Sequence, residues 1–195
     1  MVLTMNDLIK IISDYKPSLE ETLFKGDILN LINNHGKACL YRDLFTPGHI
    51  TGSALLVSED RKRVLMNHHK KLNKWICFGG HADGEEDILN VAKREVQEES
   101  GIDNITAPLD DVLDIDIHKI PETLKEPSHR HFDIRCVFAV ADKKYEKFKI
   151  SDESKELKWC NYREACTLID SNDVGMLRLL TKWYESSTQN KVSAA

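Results

Sequence analysis

The stretch from Gly79 to Ile102 reads GGHADGEEDILNVAKREVQEESGI, and its second half sets Glu95, Glu98 and Glu99 within five residues, just ahead of Gly101. On a helix, like charges at i, i+3 and i+4 repel by about 0.2–0.5 kcal/mol per pair. They also crowd the C-terminal end, where the helix dipole is negative and acids are disfavoured. At about 100° per residue, Ile88, Ala92, Val96 and Glu99 share one line, and Glu95 falls between Val91, Ala92 and Glu99. Glu95 and Glu99 therefore continue the apolar, inward stripe, with Glu98 at its margin beside Arg94. Inward carboxylates need a compensating charge, and Arg94 offsets only one. A hard divalent cation with oxygen ligands satisfies the others. Mg2+ suits this role, because it binds through a few carboxylates and keeps waters and substrate phosphates.

The flanking residues extend this platform. Gly101 suits a left-handed helix C-cap. Gly79 and Gly80 let the backbone approach a neighbour, freeing a carbonyl toward the same cation. Asp83, Glu85, Glu86 and Asp87 gather at the helix start, where acids are favoured. From Gly80 the segment fits G-x5-E-x7-R-E-U-x-E-E-x-G-U, with U aliphatic, at Gly80, Glu86, Arg94, Glu95, Val96, Glu98, Glu99, Gly101 and Ile102. These are all the fixed positions of the Nudix hydrolase signature, and the chain resembles that family. One departure precedes the box: Phe78-Gly79-Gly80 stands where many members carry Pro-Gly-Gly, which alters the rigidity of the loop.

The resemblance implies an α/β fold, a Nudix-type α/β/α sandwich around a mixed β-sheet. That domain would span about residues 46–185, behind an N-terminal helical extension at 1–45 and ahead of a frayed polar tail at 186–195. It implies hydrolysis of a diphosphate linked to another moiety, with Mg2+ or, in its place, Mn2+. Glu95, Glu98 and Glu99 would be the metal ligands, assisted by the Gly79 carbonyl. Glu86 and Arg94 would form the supporting pair that positions Glu95 or Glu98. The general base varies across the family between helix glutamates and a glutamate from a later loop. Glu153, in SDESKELKW, is either that late carboxylate or a solvated loop acid. The segments PGHITGSALLVS, HHKKLNKWICFGGH, IHKIPE and HRHFDIRCVF together resemble a mostly bacterial group within the family, a likeness that sharpens the fold and not the substrate.

The wider composition agrees with a single soluble unit. The chain has 195 residues, 41% hydrophobic and 30% charged, room for one sizeable core. Its net charge of −5 resides in residues 80–102, which hold seven acids and two bases, so the remainder is neutral. No basic stripe points to a nucleic-acid polymer, and no apolar run approaches the ~18 residues of a membrane span. The N-terminal MVLTMNDLIKIISDYK lacks the features of a signal peptide. The five scattered cysteines read as reduced thiols, which together with that N-terminus predicts a cytoplasmic protein. Leu8, Ile11, Ile12 and Tyr15 predict a first helix ended by Pro17. Ser18 and Glu21 match a capping box for a second, with Leu23, Phe24, Leu31 and Ile32 as its buried side. These helices could cover the sheet, shape a pocket or form a homodimer. ITGSALLVS, RVLMNHH, WICFGG, VLDIDIH, HFDIRCVFAV and ELKWC read as strands, and Val174–Tyr184 as a final helix.

Substrate recognition is expected on two alternating strands. Phe132, Ile134, Cys136 and Phe138 face one side of the later strand, and His131, Asp133 and Arg135 the other. Asp114, Asp116 and His118 line up likewise. If the strands pair, His129, His131 and Arg135 could contact phosphate or base; otherwise this is a half-exposed face with pairs such as Asp133–Arg135. His81, with His68 and His69, flanks the glycine loop and could meet a phosphate, and the clustering also raises zinc, without any fixed finger spacing. Trp75 reads as core. The stretch Asp103–His131 contains no aromatic of the dinucleoside polyphosphate type, and Pro121 lies later than the proline common in ADP-ribose members. A nucleoside diphosphate derivative or a nucleoside triphosphate stays open as the small-molecule substrate. Two other readings are a non-catalytic ligand sensor, disfavoured by the intact box, and an isopentenyl diphosphate isomerase-like enzyme using Cys77.

Overall fold

The computed structural model describes residues 3–109 and 112–189. Seven strands, β1 (His49–Val57), β2 (Val64–His69), β3 (Lys74–Ile76), β4 (Phe78–His81), β5 (Asp114–Ile120), β6 (His129–Ala139) and β7 (Ser154–Cys160), form one mixed sheet. β1 is its axis and is buried along its whole length. It runs parallel to β6 and antiparallel to β2 and β4. β5 pairs antiparallel with β6, while β3 and β7 pair with β2. WICFGG, expected as one strand, divides at Cys77: β3 follows β2, and β4 crosses to β1. The division arises because β2 pairs with β1 only at Leu56 and Val57, leaving the edge at Thr51–Ala54 for β4.

Among the described residues, five α-helices cover the sheet: α1 (Met5–Asp14), α2 (Glu21–His35), α3 (Ile88–Ser100), α4 (Tyr162–Leu168) and α5 (Val174–Gln189). Leu8 and Ile12 of α1 and Ile28, Leu31 and Ile32 of α2 share one core with Ile50, Phe132, Ile134 and Ile88. Each such side chain contributes about 1.5–3 kcal/mol when fully buried. The N-terminal helices therefore cover the sheet on the same side as α3. On the opposite face, Leu55, Val57, Val137 and Ala139 pack against Ala165 of α4 and Leu179, Leu180 and Trp183 of α5. The result is an α/β/α sandwich. Among the described residues no helix is long and apolar enough to cross a membrane.

Several expectations need correction. Leu23 is 76% exposed, because it lies off the buried line of Ile28, Leu31 and Ile32. Only half of the second capping box forms: Glu21 accepts from the Ser18 N–H at 2.8 Å, but no side chain caps the helix. Glu21 instead turns inward, as described below. α4 was not anticipated, although Asn161 and Glu164 form a full capping box at its start. α5 continues past Tyr184 to Gln189, so the first part of the expected tail is helical; residues 190–195 lie outside the described residues.

Candidate functional site

α3 is set by its two ends and by glycines opposite it. Asp87 accepts from the Asn90 N–H at the start, and Gly101 ends the helix at φ 68°. Gly52 of β1 admits the helix closely, since a Cβ there would lie 2.9 Å from the Ile88 carbonyl oxygen. Gly80 does the same for chemistry: a Cβ would lie 2.5 Å from Cδ of Glu95 and 2.7 Å from both its oxygens. The Glu95 carboxylate thus rests on bare backbone. Glu99 is 6% exposed. It accepts from Asn67 Nδ2 at 2.5 Å and faces the Gly79 N–H at 3.4 Å. Glu95 is half-buried and Glu98 exposed, the order given by the helical stripe. Burial, together with the charges of Glu95 and Glu153, pushes Glu99 up to about 8 despite its hydrogen bonds. Burial also raises Glu95, against the pull of Arg94.

The supporting residues are rearranged relative to expectation. Arg94 Nη2 donates to Glu95 Oε1 at 2.9 Å and to the His81 carbonyl at 3.0 Å. Its other branch meets Glu85 at 3.4 Å, not Glu86. Glu86 accepts from the Met5 N–H at 2.7 Å and pairs with Lys37, so the N-terminal segment takes the carboxylate expected beside Arg94. Asp87 and Asp83 are held likewise by the Leu3 N–H at 3.1 Å and by Arg42. Glu153 lies just before β7, where its carbonyl accepts from Lys70 N at 2.7 Å. Its side chain is 71% exposed and 3.9 Å from His69 Nε2. From there its charge reaches Glu95 and Glu99.

Behind β4, on the α5 side of the sheet, lies a polar face. β5 and β6 do pair, setting His118 beside His131 and Asp116 beside Asp133. Arg135 is 5% exposed and is consumed by acids: Asp133 at 2.7 Å, Asp116 at 3.1 Å and Asp114 at 3.4 Å. Arg178 of α5 closes on Asp114 and Asp116 from the far side at 2.7–3.1 Å. The expected substrate contact by Arg135 is therefore corrected: its guanidinium is buried and each of its three nitrogens is turned to a carboxylate. The same network continues through Lys182 to Glu21 and Tyr15. Burial works against the Glu21 charge, but Lys182, Tyr15 and Ser18 together hold it down at about 2.

The histidines gather at the open end of this face. His49 stacks near His81, His129 and His131 with ring centroids 5.1, 5.0 and 4.9 Å away. Burial and neighbouring histidines lower His131 to about 2, and burial lowers His49 to about 4, so both are neutral at pH 7. His68 stacks on Trp75 instead, 4.9 Å away. Two residues of this region escaped the sequence reading: Asn67 is a lone amide in an apolar run, and His49 begins the alternation His49, Thr51, Ser53. Glu85 was read only as an acid at the helix start, not as the partner of Arg94. Cys77 is buried, and burial pushes its thiol up to about 12, which disfavours a nucleophilic role.

A family model described as the NUDIX domain matches residues 48–182. Among solved structures, the chain is similar to a C. elegans Ap4A hydrolase, with 18% identity, a TM-score of 0.55, and 72% of this chain and 98% of that one covered. It is similar to the E. coli dihydroneopterin triphosphate pyrophosphohydrolase at 19% identity and a TM-score of 0.50, covering 67% and 91%. A Francisella tularensis bifunctional NMN adenylyltransferase/ADP ribose pyrophosphatase gives 19% and 0.52, covering 84% of this chain and 48% of the other. At these identities the structures share the fold alone. No curated protein is similar enough in sequence to match the chain.

Proposed function

The chain belongs to the NUDIX domain family, a hydrolase acting on phosphorus anhydrides, and from that premise we propose that it cleaves the diphosphate bond of a nucleoside diphosphate linked to another moiety, or of a nucleoside triphosphate. The observation that carries this reading is the pairing of Glu95, seated on Gly80, with Glu99, buried beside it. Two inward carboxylates served by one guanidinium can both ionise in a low-dielectric site only when a cation joins them. The donors are all oxygen, which fits Mg2+, with Mn2+ as a substitute. Glu95, Glu98 and Glu99 would hold the cation, with the Gly79 carbonyl as a further donor. A bound cation of this kind draws charge from the phosphoryl oxygens and stabilises the departing phosphate.

The remaining work falls to the protein. Arg94 fixes the Glu95 carboxylate and, through the His81 carbonyl, the loop that presents it. Asn67 and the Gly79 N–H orient Glu99. Glu98 has no hydrogen bond or ion pair among the described residues and faces solvent, so it is open to receive a proton from water. Glu153 is the second candidate for that proton. His81, His129 and His131 line the neighbouring face as contacts for the remainder of the substrate. The similar structures are named for Ap4A, dihydroneopterin triphosphate and ADP ribose. That variety supports recognition centred on the phosphate anhydride. The five cysteines are all unpaired, which supports a reducing, cytoplasmic setting. The test is a Mg2+-supplemented screen of nucleotide and nucleotide-linked diphosphates, with products identified by mass. Glu98→Gln should lose hydrolysis by orders of magnitude while remaining folded; wild-type turnover in that variant would sink the assignment.

A further inference from the structure

We propose that His49, His129 and His131 form a second cation site, built for a transition-metal dication such as Zn2+ and separate from the glutamates of α3. One ligand nitrogen from each lies within 4.8 Å of the other two. Tetrahedral zinc with Zn–N near 2.0–2.1 Å sets its ligand nitrogens about 3.3 Å apart. His129 Nε2 and His131 Nε2 already stand at 3.3 Å.

The tautomers follow from the carbonyls behind the rings. His49 Nδ1 faces the Leu44 carbonyl at 3.3 Å, and His129 Nδ1 faces the Pro127 carbonyl at 2.8 Å. A carbonyl only accepts, so each Nδ1 carries the proton and each Nε2 presents a lone pair. This is the arrangement by which metal-bound histidines are held and oriented from behind. A proton on His131 Nε2 would satisfy His129, but it would leave His49 Nε2 alone. That atom is buried in a residue 1% exposed and has no partner. Leaving a buried polar atom unmatched costs about 1–3 kcal/mol. A cation between the three rings satisfies all of them at once.

The donor chemistry separates the two sites. Imidazole nitrogens favour borderline transition metals, whereas the carboxylate set favours Mg2+. Successive residues of a strand point to opposite faces, so Gly80 turns to Glu95 while His81 turns to the histidines, and the sites stand back to back across β4. Three protein ligands leave a fourth position open to water or a phosphate oxygen. His81 borders it, its ring 5.1 Å from that of His49 and 5.2 Å from that of His131.

The experiment is a titration of the untagged full-length protein with Co2+ under saturating Mg2+, read by calorimetry and by the visible d–d bands of cobalt. One equivalent is expected to bind, with bands that indicate nitrogen ligation. His131→Ala, at the partly exposed rim, and His129→Asn should each weaken binding by at least about tenfold, with folding checked by circular dichroism. Glu98→Gln should bind Co2+ as the wild type does, which keeps this result independent of the hydrolase reading. Absence of binding under Mg2+, wild-type affinity in folded His131→Ala, or loss of binding in Glu98→Gln would each overturn the proposal.

Discussion

At the scale of single residues, Glu99 and Gly80 carry the sharpest consequences. Glu99 ordinarily ionises near 4.5 but is pushed up to about 8 in the folded, metal-free chain. Between those values the native state binds a proton that the unfolded chain does not, so stability falls as pH rises through that window. A cation at Glu99 must displace that proton. Adding Mg2+ at pH 7 in weak buffer is therefore expected to release close to one proton, read with an indicator dye. Glu99→Gln should abolish that release, and equal release from both proteins would refute the account. Gly80 makes a complementary case. A methyl group there first meets the far end of the Glu95 side chain, 2.5 Å from Cδ, and that end can swing away. Gly80→Ala is thus expected to change the thermal midpoint little while weakening Mg2+ binding by at least about tenfold. Equal losses of stability and affinity would instead mean that the strand itself has moved.

At the scale of elements, the buried ion network joins α2, β5, β6 and α5. Glu21 is fully buried, and Lys182 is a principal cation beside it. Removing one partner of a buried pair costs about 3–5 kcal/mol, because the other is left uncompensated. Lys182→Met should lower unfolding free energy by about that amount in urea, and Glu21→Gln in the same chain should restore part of it. A loss under about 1 kcal/mol would show that the network does not clamp these elements. The sign with pH is opposite to that of Glu99. Glu21 sits at about 2 when folded, so its contribution is present above 4.5 and disappears as pH falls through 2. The helix of glutamates was legible because its features are local: the stripe, the capping Gly101 and the flanking glycines all lie within one helix and its loop. Arg135 was not, since its reading turned on whether Asp114, Asp116 and Arg178 would surround it. Glu86 failed for the same reason, its partner Met5 lying 81 positions away.

At the scale of the whole molecule, the three layers are arranged around β1, and the N-terminal helices belong to the same core as α3. The loop that opens α3 is tied to that N-terminal part at Asp83, Glu86 and Asp87. Fold class and layer order were readable from the alternation of strands and helices, but the route of the sheet was not. The reason is that β1 takes three strand partners, β2, β4 and β6, from separate parts of the chain. Its parallel partner β6 arrives late: the Asp133 carboxylate that accepts from Thr51 and Ser53 lies 82 and 80 positions further on. Closing so long a loop carries an entropic cost before any contact rewards it, and folding slows as such distant contacts accumulate. During synthesis, then, the glutamate helix leaves the ribosome complete in sequence yet without half of its sheet. The hydroxyls of Thr51 and Ser53 must wait in water until β6 emerges, and the histidine face, which takes His129 and His131 from β6, is completed only then.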